Sequence, residues 1–546
     1  MAEPLKMSCN ALVINPQFNG ASFWAYRSVC ELVGAKYPAP SLGLLTVAAL
    51  LPADWNVRLI DRNVNESEEE LERELAWADL VVAGGMLPQQ GDLFALIERC
   101  RRRGTPIAVG GPDVSSTPTL YARANFRIVG EAEGCIDQFI AAWDRGERDG
   151  EFQTPLYSVD VTKTPIPRFD LLDFSNYTEL TVQFSRGCPF NCEFCDIIEL
   201  YGRNPRAKNS AQMLVELQRL YELGYRGLIQ FADDNLIGNK KAVKAFLPDL
   251  IAWQKAHGYP FEFGTEASLN LADDDALLRM LRDANFIAVF IGIESPDPDV
   301  LIAARKKQNT RRDIAESVHK VQAMGMFVVA GFIVGFDNES AHVSRSMIDL
   351  IEEACIPVCM VGLLYALPNT QLTRRLEREG RLHVARGGAD LEFADQCLSG
   401  LNFRTLRPRT DVLSDYRAVV DRIYGPDAYF DRVRRAVDRL DCSGGNGAIR
   451  PSTLMGDLRQ LGRFLWGATF RAPFLRGPVW RLIAYVLRRN PRAIRAALLM
   501  AAFYAHVGPF SRVVVAAIDA RVADDAATQE VESPARELAF DPPVVA

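Results

Sequence analysis

The sequence predicts an α/β protein: an N-terminal doubly wound domain, a partial (β/α)6 barrel, and a mainly helical C-terminal region. Two observations predict it. Short apolar runs rich in Val, Ile and Leu recur along residues 11–145 and again along 180–367, as strands buried on both faces require. Amphipathic helical segments fill the gaps between those runs, the pattern of parallel sheets with crossover helices. At 546 residues the chain is also too long for one ordinary core.

The first domain spans 1–150. Its strands are "ALVINP" (11–16), "NVRLID" (56–61), "LVVAGG" (80–85), "PIAVGG" (106–111) and "FRIVG" (126–130), with helices such as "EEELERELAW" between them. Gly84, Gly85, Gly110 and Gly111 follow strand ends, where an open parallel sheet binds its ligand. For any one pair a tight strand-to-helix turn is the better reading, and it is their recurrence at one sheet edge that points to a ligand crevice. Residues 151–178 carry three prolines and no helical period, and read as a linker.

The barrel spans 179–372. Its six strands are "LTVQFSRG" (180–187), "GLIQFADD" (227–234), "FEFGTEAS" (261–268), "AVFIGIES" (288–295), "FVVAGFIVG" (327–335) and "CMVGLLYAL" (359–367). Polar residues cluster at the strand ends where barrel chemistry sits: Arg186, Asp233, Asp234, Thr265, Glu266, Glu294, Ser295 and Asp337. Residues 373–449 read as helical, and 522–546 as an acidic, disordered tail.

The net charge of −7 argues against a general nucleic-acid binder, so no nucleic-acid partner is expected. No secretory signal and no apolar run of membrane-span length is evident. Eleven cysteines without an export signal suggest reduced thiols and a cytoplasmic location. Three of them, Cys188, Cys192 and Cys195, fall in "RGCPFNCEFC" directly after the first barrel strand. Zinc would want a fourth protein ligand, and none lies near; the five histidines are scattered at 257, 319, 342, 383 and 506. An iron–sulfur cube held by three thiolates would leave one iron open to a substrate or cofactor.

The CxxxCxxC spacing, with Phe194 before the last cysteine, resembles the signature of radical S-adenosylmethionine enzymes. The resemblance implies a [4Fe-4S] cluster whose open iron chelates S-adenosylmethionine and reduces it to methionine and a 5′-deoxyadenosyl radical. "FADDN" (231–235), "FIGIES" (290–295) and "GFIVGFDNE" (331–339) are similar to motifs of its later strands. They imply contacts from Asp234 to the methionine amino group and from Glu294 and Ser295 near the ribose, with Gly331 and Gly335 beside the cofactor. Asn338 takes the place of the usual Glu, and Glu339 follows it.

A doubly wound domain ahead of such a barrel resembles the cobalamin-dependent, class B radical subfamily that includes hopanoid C-2 methylases. The resemblance covers residues 10–440, with "SLGLLTVAALLP" and "VRLIDRN" among its segments. It implies cobalamin as a further cofactor, with Gly84, Gly85, Gly110 and Gly111 letting backbone approach the corrin. No histidine precedes His257, so a histidine of this domain cannot be the lower cobalt ligand. The implied function is C-methylation of an unactivated carbon of a lipid or other hydrophobic metabolite, fed by a donor such as flavodoxin or ferredoxin. The alternatives are a radical rearrangement or cyclisation without methyl transfer, and a non-catalytic cobalamin or iron–sulfur sensor. A methylthiotransferase would need a second cluster gathered from Cys9, Cys30, Cys100 and Cys135. Cys355 and Cys359 read as buried apolar thiols, with radical quenching as the alternative.

Residues 450–521 change character. Between 450 and 512 lie eleven arginines, no lysine and one acid, interleaved with Trp, Phe and Leu. Interfacial helices on an anionic membrane have this composition, and a helical cap on the barrel is the competing reading. Pro473, Pro478, Pro491 and Pro509 are expected to cut the segment into pieces too short to span a bilayer. Peripheral attachment to the inner face of the membrane is the corresponding expectation for location.

Overall fold

The computed structural model describes residues 8–20, 22–383, 396–442 and 454–532. The first sheet contains β1 (Asn10–Asn15), β2 (Asn56–Asp61), β3 (Leu80–Gly84), β4 (Ile107–Gly110), β5 (Phe126–Val129) and β6 (Gly150–Gln153). All neighbours are parallel, in the order β2-β1-β3-β4-β5-β6. Helices Leu42–Leu50 and Ile136–Asp144 cover one face, and Glu68–Trp77 and Gln90–Arg103 the other. The order reverses between β1 and β3, so the connections leaving them diverge and open a crevice at the carboxyl edge.

Strand β6 corrects the expected boundary at 151. Its "GEFQ" alternates half-buried and exposed residues at a sheet edge, and so lacks the apolar run that marks an inner strand. The connection that follows holds three single-turn helices, at Val161–Lys163, Phe169–Leu171 and Phe174–Asn176.

The barrel begins at β7 (Glu179–Val182). The two-residue strands β8 (Ser185–Arg186) and β9 (Arg206–Ala207) then pair antiparallel across the cysteine loop. The sheet continues with β10 (Gly227–Phe231), β11 (Phe261–Glu266), β12 (Phe286–Glu294), β13 (Phe327–Val334) and β14 (Val358–Leu363). These six parallel strands follow chain order, from β7 at one edge to β14 at the other.

Helices span the gap between those edges. Arg409–Ile423 packs on β13 and β14 and against the long helix Ile494–Glu532. That helix packs in turn on Arg27–Val33, beyond which Tyr37 bridges to Tyr177 just before β7. The seam is aromatic. Tyr26 meets Phe503 and His506 edge-on at 5.2 and 5.1 Å, His506 stacks on Phe510 at 5.3 Å, and Trp24 leans on Phe290 of β12 at 5.8 Å.

The long helix overturns two expectations. Pro509 does not break it, and Pro478 lies inside the helix Pro473–Arg489; only Pro473 and Pro491 stand at starts. An interior proline costs a helix about 3 kcal/mol. Burial of Met500, Val507, Phe510, Val514 and Ile518 along the helix offsets that cost. The stretch Pro491–Asp525 is therefore long and apolar enough to cross a membrane, contrary to the expectation of short pieces. Its apolar window is 56% buried against the rest of the protein, as in a core helix. The helix also runs to Glu532, into the tail expected to be disordered from 522; residues 533–546 lie outside the described residues.

His506 makes the seam sensitive to acid. Burial lowers it from 6.5 to about 4 against the opposing backbone groups of Phe23 and Ser22, and its Nε2 has no hydrogen-bond partner. Between those values the unfolded chain binds a proton that the folded chain refuses, so stability falls as pH drops from 6.5 to 4. We expect His506→Gln to flatten the loss over that window by about 1 kcal/mol per pH unit. Urea midpoints of the two proteins across the window measure it, and parallel curves would refute it.

Candidate functional site

The cysteine loop is tied over the barrel mouth by two acids. Asp233 accepts from the Phe184 amide at 3.0 Å, the Ser185 hydroxyl at 2.6 Å and the Ser185 amide. Asp234 accepts from the Gly187 amide at 2.7 Å. Gly187 turns with φ +96°, and a Cβ there would lie 2.9 Å from the Gly202 carbonyl, so glycine is required. The Cys188 amide then donates to that same carbonyl at 3.1 Å. Asp234 is thus occupied in shaping the loop, beside the role that the resemblance implies for it. Burial, then Asp233 and Asp196, push its carboxyl up to about 7.

Cys188, Cys192 and Cys195 are all free thiols in this one loop. Asn235 Nδ2 lies 3.7 Å from Cys188 Sγ, and Gln308 Nε2 3.7 Å from Cys192 Sγ. Burial pushes Cys192 and Cys195 up, while Lys306 draws Cys192 back. Among the described residues no three His, Cys, Asp or Glu side chains converge as the ligands of a single ion. A zinc site would need such convergence, whereas a cube spreads its thiolates over separate irons.

Across the mouth, Glu294 stands at the end of β12 with φ +70°. Its Oε1 accepts from Lys306 Nζ at 2.6 Å, and Gly292 makes room for the pair, since a Cβ there would meet Nζ at 2.9 Å. Lys306 also stands 6.0 Å over the Phe194 ring, which packs edge-on to Phe336 at 5.8 Å. Ser295 is fully buried and accepts from the Asp297 amide, a local turn contact. Gly331 faces Gly292 in register, and a Cβ on it would sit 3.1 Å from Phe290. Gly335 turns with φ +116° and donates to both oxygens of Glu339 at 2.9 Å, so Glu339 is a turn anchor. Asp337 pairs with Arg375 at 2.7 Å and with Arg381.

A cavity of about 580 Å3 lies between the barrel mouth and the first sheet. Gly84, Gly85, Gly110 and Gly111 border it from the sheet side; Thr181, Gln183, Arg186, Tyr201 and Asp234 border it from the barrel side. Leu44, Val47, Leu50, Ile136 and Phe139 form an apolar end. The glycines also permit the strand ends to touch one another: a Cβ on Gly84 would lie 2.7 Å from the Gly110 carbonyl, and one on Gly111 3.0 Å from the Gly85 carbonyl.

Sequence reasoning singled out Arg186 as a strand-end residue but missed the partners through which it joins the two halves. Arg186 bonds Glu131 at 2.9 Å and Glu133 at 2.6 Å, and Arg206 bonds Glu131 at 2.8 Å. Burial works against the Glu133 carboxylate, but the Arg186 guanidinium holds it below the usual range. Lys306 was missed too, because "ARKKQN" reads as an ordinary charged surface run.

Other cysteines do not join the site. Cys9 and Cys135 lie in the core on one face of the first sheet and Cys100 in the core on the other, so the second cluster that a methylthiotransferase needs is not gathered there. Cys355 and Cys359 are buried at the start of β14, at the end of the barrel away from the cysteine loop.

Residues 182–351 match the family model of the radical SAM superfamily, and residues 370–520 match a domain of unknown function. A protein of Synechocystis sp. (strain ATCC 27184 / PCC 6803 / Kazusa), described as an uncharacterized methyltransferase, is 39% identical over 98% of each chain. The hopanoid C-2 methylase of Rhodopseudomonas palustris (strain TIE-1) is 38% identical over 72% of each chain. Among solved structures, the cobalamin-dependent S-adenosylmethionine radical enzyme OxsB superposes with a TM-score of 0.59 at 16% identity, over 97% of this chain and 82% of OxsB. The radical S-adenosylmethionine methyltransferase TsrM from Kitasatospora setae does so with a TM-score of 0.57 at 14% identity, over 89% of this chain and all of that one. The doubly wound domain, open barrel and helical region are thus the fold of both enzymes, and the chain belongs to the radical S-adenosylmethionine superfamily, in the family of the hopanoid C-2 methylase.

Proposed function

We propose that the protein is a cobalamin-dependent radical S-adenosylmethionine C-methyltransferase acting on an unactivated carbon of a hydrophobic, lipid-class metabolite. One observation carries the reading: the carboxyl edge of the first sheet borders the same cavity as Arg186, Ile197 and Tyr201, which flank the cysteines on their loop at the barrel mouth. When bound, the [4Fe-4S] cluster with S-adenosylmethionine supplies hydrogen abstraction, and cobalamin supplies the methyl group.

The residues fit these groups. Cys188, Cys192 and Cys195, three free thiols on one loop, would hold three irons of the cube. Asp233 and Asp234 fix the loop that carries them. Lys306 places a cation beside the thiols, and Glu294 orients that cation. Cobalamin would lie along the glycine edge, with its apolar parts against Leu44, Val47 and Phe139. No histidine borders the cavity, so no imidazole of this chain would lie under the cobalt. Phe290, Val329 and Ile333 are partly exposed on β12 and β13, which suits an apolar substrate. A reductant such as flavodoxin or ferredoxin is the partner that this chemistry requires, in a reducing cytoplasm.

Two experiments test the assignment. Cys188→Ala, Cys192→Ala and Cys195→Ala should each abolish the cluster's visible absorbance and 5′-deoxyadenosine formation, while Cys355→Ala and Cys359→Ala retain both. Full cleavage by any of the first three would refute the ligand set. Anaerobically reconstituted protein should also take up about one cobalamin per chain. Its cob(II)alamin resonance should show no nitrogen superhyperfine splitting from a protein imidazole, and product should gain one CH2 unit. Splitting that changes on 15N-labelling of the protein would contradict the absence of a protein imidazole below the cobalt, and a product of unchanged mass would favour rearrangement or cyclisation.

A further inference from the structure

The Arg-rich helices carry two faces. In the helix Pro473–Arg489, Leu475, Val479, Leu482 and Val486 recur at helical spacing and are buried. This face packs on the helices Pro426–Arg439 and Ile494–Glu532. The helix Leu454–Trp466 touches Arg27–Val33, with Phe464 buried and Gly467 seated on Leu32. To that extent the segment is the packed cap that its sequence also allows.

The outward side is not what a solvated cap needs. Leu458, Leu461, Trp466, Phe470, Phe474 and Trp480 are exposed, with Trp466 at 52%, Phe470 at 66% and Trp480 at 48%. A soluble monomer rarely gathers so many large apolar side chains in one short stretch. Arg459, Arg463, Arg471, Arg476, Arg481 and Arg488 stand exposed between them. Arg476, Arg481 and Arg488 have no acidic partner among the described residues, although the chain as a whole carries a net charge of −7. The ring positions are set: Arg471 lies over Trp466 at 4.8 Å, and Trp480 Nε1 donates to Thr469 at 3.3 Å.

From this juxtaposition of exposed aromatics and unpaired arginines we infer that residues 454–489 form a docking face for an anionic lipid bilayer. The tryptophans would sit at headgroup depth, Phe470 and Phe474 would enter the acyl boundary, and the arginines would meet lipid phosphates. An acidic protein could satisfy the arginines alone. The number and exposure of the aromatics favour lipid. The face also stands close to the barrel, because the helix Arg27–Val33 that it rests on follows the Trp24 that reaches Phe290. Membrane binding is independent of the methyltransferase reading and is measured without cofactors.

The test is flotation of the full chain with phosphatidylcholine vesicles, with and without phosphatidylglycerol, at low and high salt. Binding should require phosphatidylglycerol and weaken in high salt. A triple variant Arg476→Gln, Arg481→Gln, Arg488→Gln should bind roughly a hundredfold more weakly, at roughly fivefold per arginine. A triple variant Trp466→Ser, Phe470→Ser, Trp480→Ser should lose binding, with circular dichroism unchanged because all three side chains are exposed. Absence of flotation by the parent chain, which is what an acidic protein partner would give, would overturn the inference. Equal flotation with neutral vesicles, or undiminished flotation of the aromatic variant, would overturn it as well.

Discussion

The architecture depends on one buried charge cluster. Arg186 stands on β8, two residues before Cys188, and its guanidinium reaches across the cavity to Glu131 and Glu133, which follow β5 of the first domain. Arg206, on the returning side of the cysteine loop, takes the second oxygen of Glu131. The loop that presents the thiols is therefore bolted at both ends to the domain that offers the glycine edge. Such pairs are weak sources of net stability, but removing one partner costs about 3–5 kcal/mol, because the other charge is left buried. Their contribution is register: with Phe23, Leu32 and Leu45 packed into the barrel core, they hold the two sheets with their carboxyl edges facing one cavity.

Fixing that distance has a chemical purpose. A radical chemistry that abstracts hydrogen at one cofactor and delivers a group from another needs both within reach of one carbon, with water kept away. The glycine edge, the loop tied by Asp233 and Asp234, and the Lys306–Glu294 pair each consume polar groups locally, so few are left to compete with bound cofactors. The aromatic seam of Tyr26, Phe503, His506 and Phe510 completes the enclosure on the side that six strands leave open. An open barrel sealed by another part of the same chain can vary its wall without changing its sheet.

Much of this was legible in the sequence, and for physical reasons. Inner parallel strands are apolar on both faces, so β1, β3, β4, β5 and the inner barrel strands β10–β13 declared themselves as apolar runs, and the edge strands β2, β7 and β14 kept enough apolar residues to be read with them. Three thiols without a fourth are chemically unusual, which is why "CPFNCEFC" pointed to a cluster with an open iron. Edge strand β6 was hidden because half of its residues face solvent. Pro509 misled because its local cost is outweighed by tertiary burial that only the folded helix displays. Arg186, Glu131 and Lys306 escaped as partners because their contacts join residues 12–75 positions apart, beyond any local motif. Asp234 and Ser295 were visible as strand-end polar residues and Glu339 as part of a motif, yet their hydrogen bonds to the backbone were not.

The most direct test of the central claim is the content of the reconstituted Arg186→Met protein, with Glu133→Gln as a second, milder variant. Iron, sulfide and cobalamin per chain are measured beside the parent. The account predicts that iron and sulfide stay at parental levels, because the three cysteines remain, while cobalamin affinity falls at least tenfold as the two edges lose register. Cobalamin affinity unchanged in both variants would contradict it.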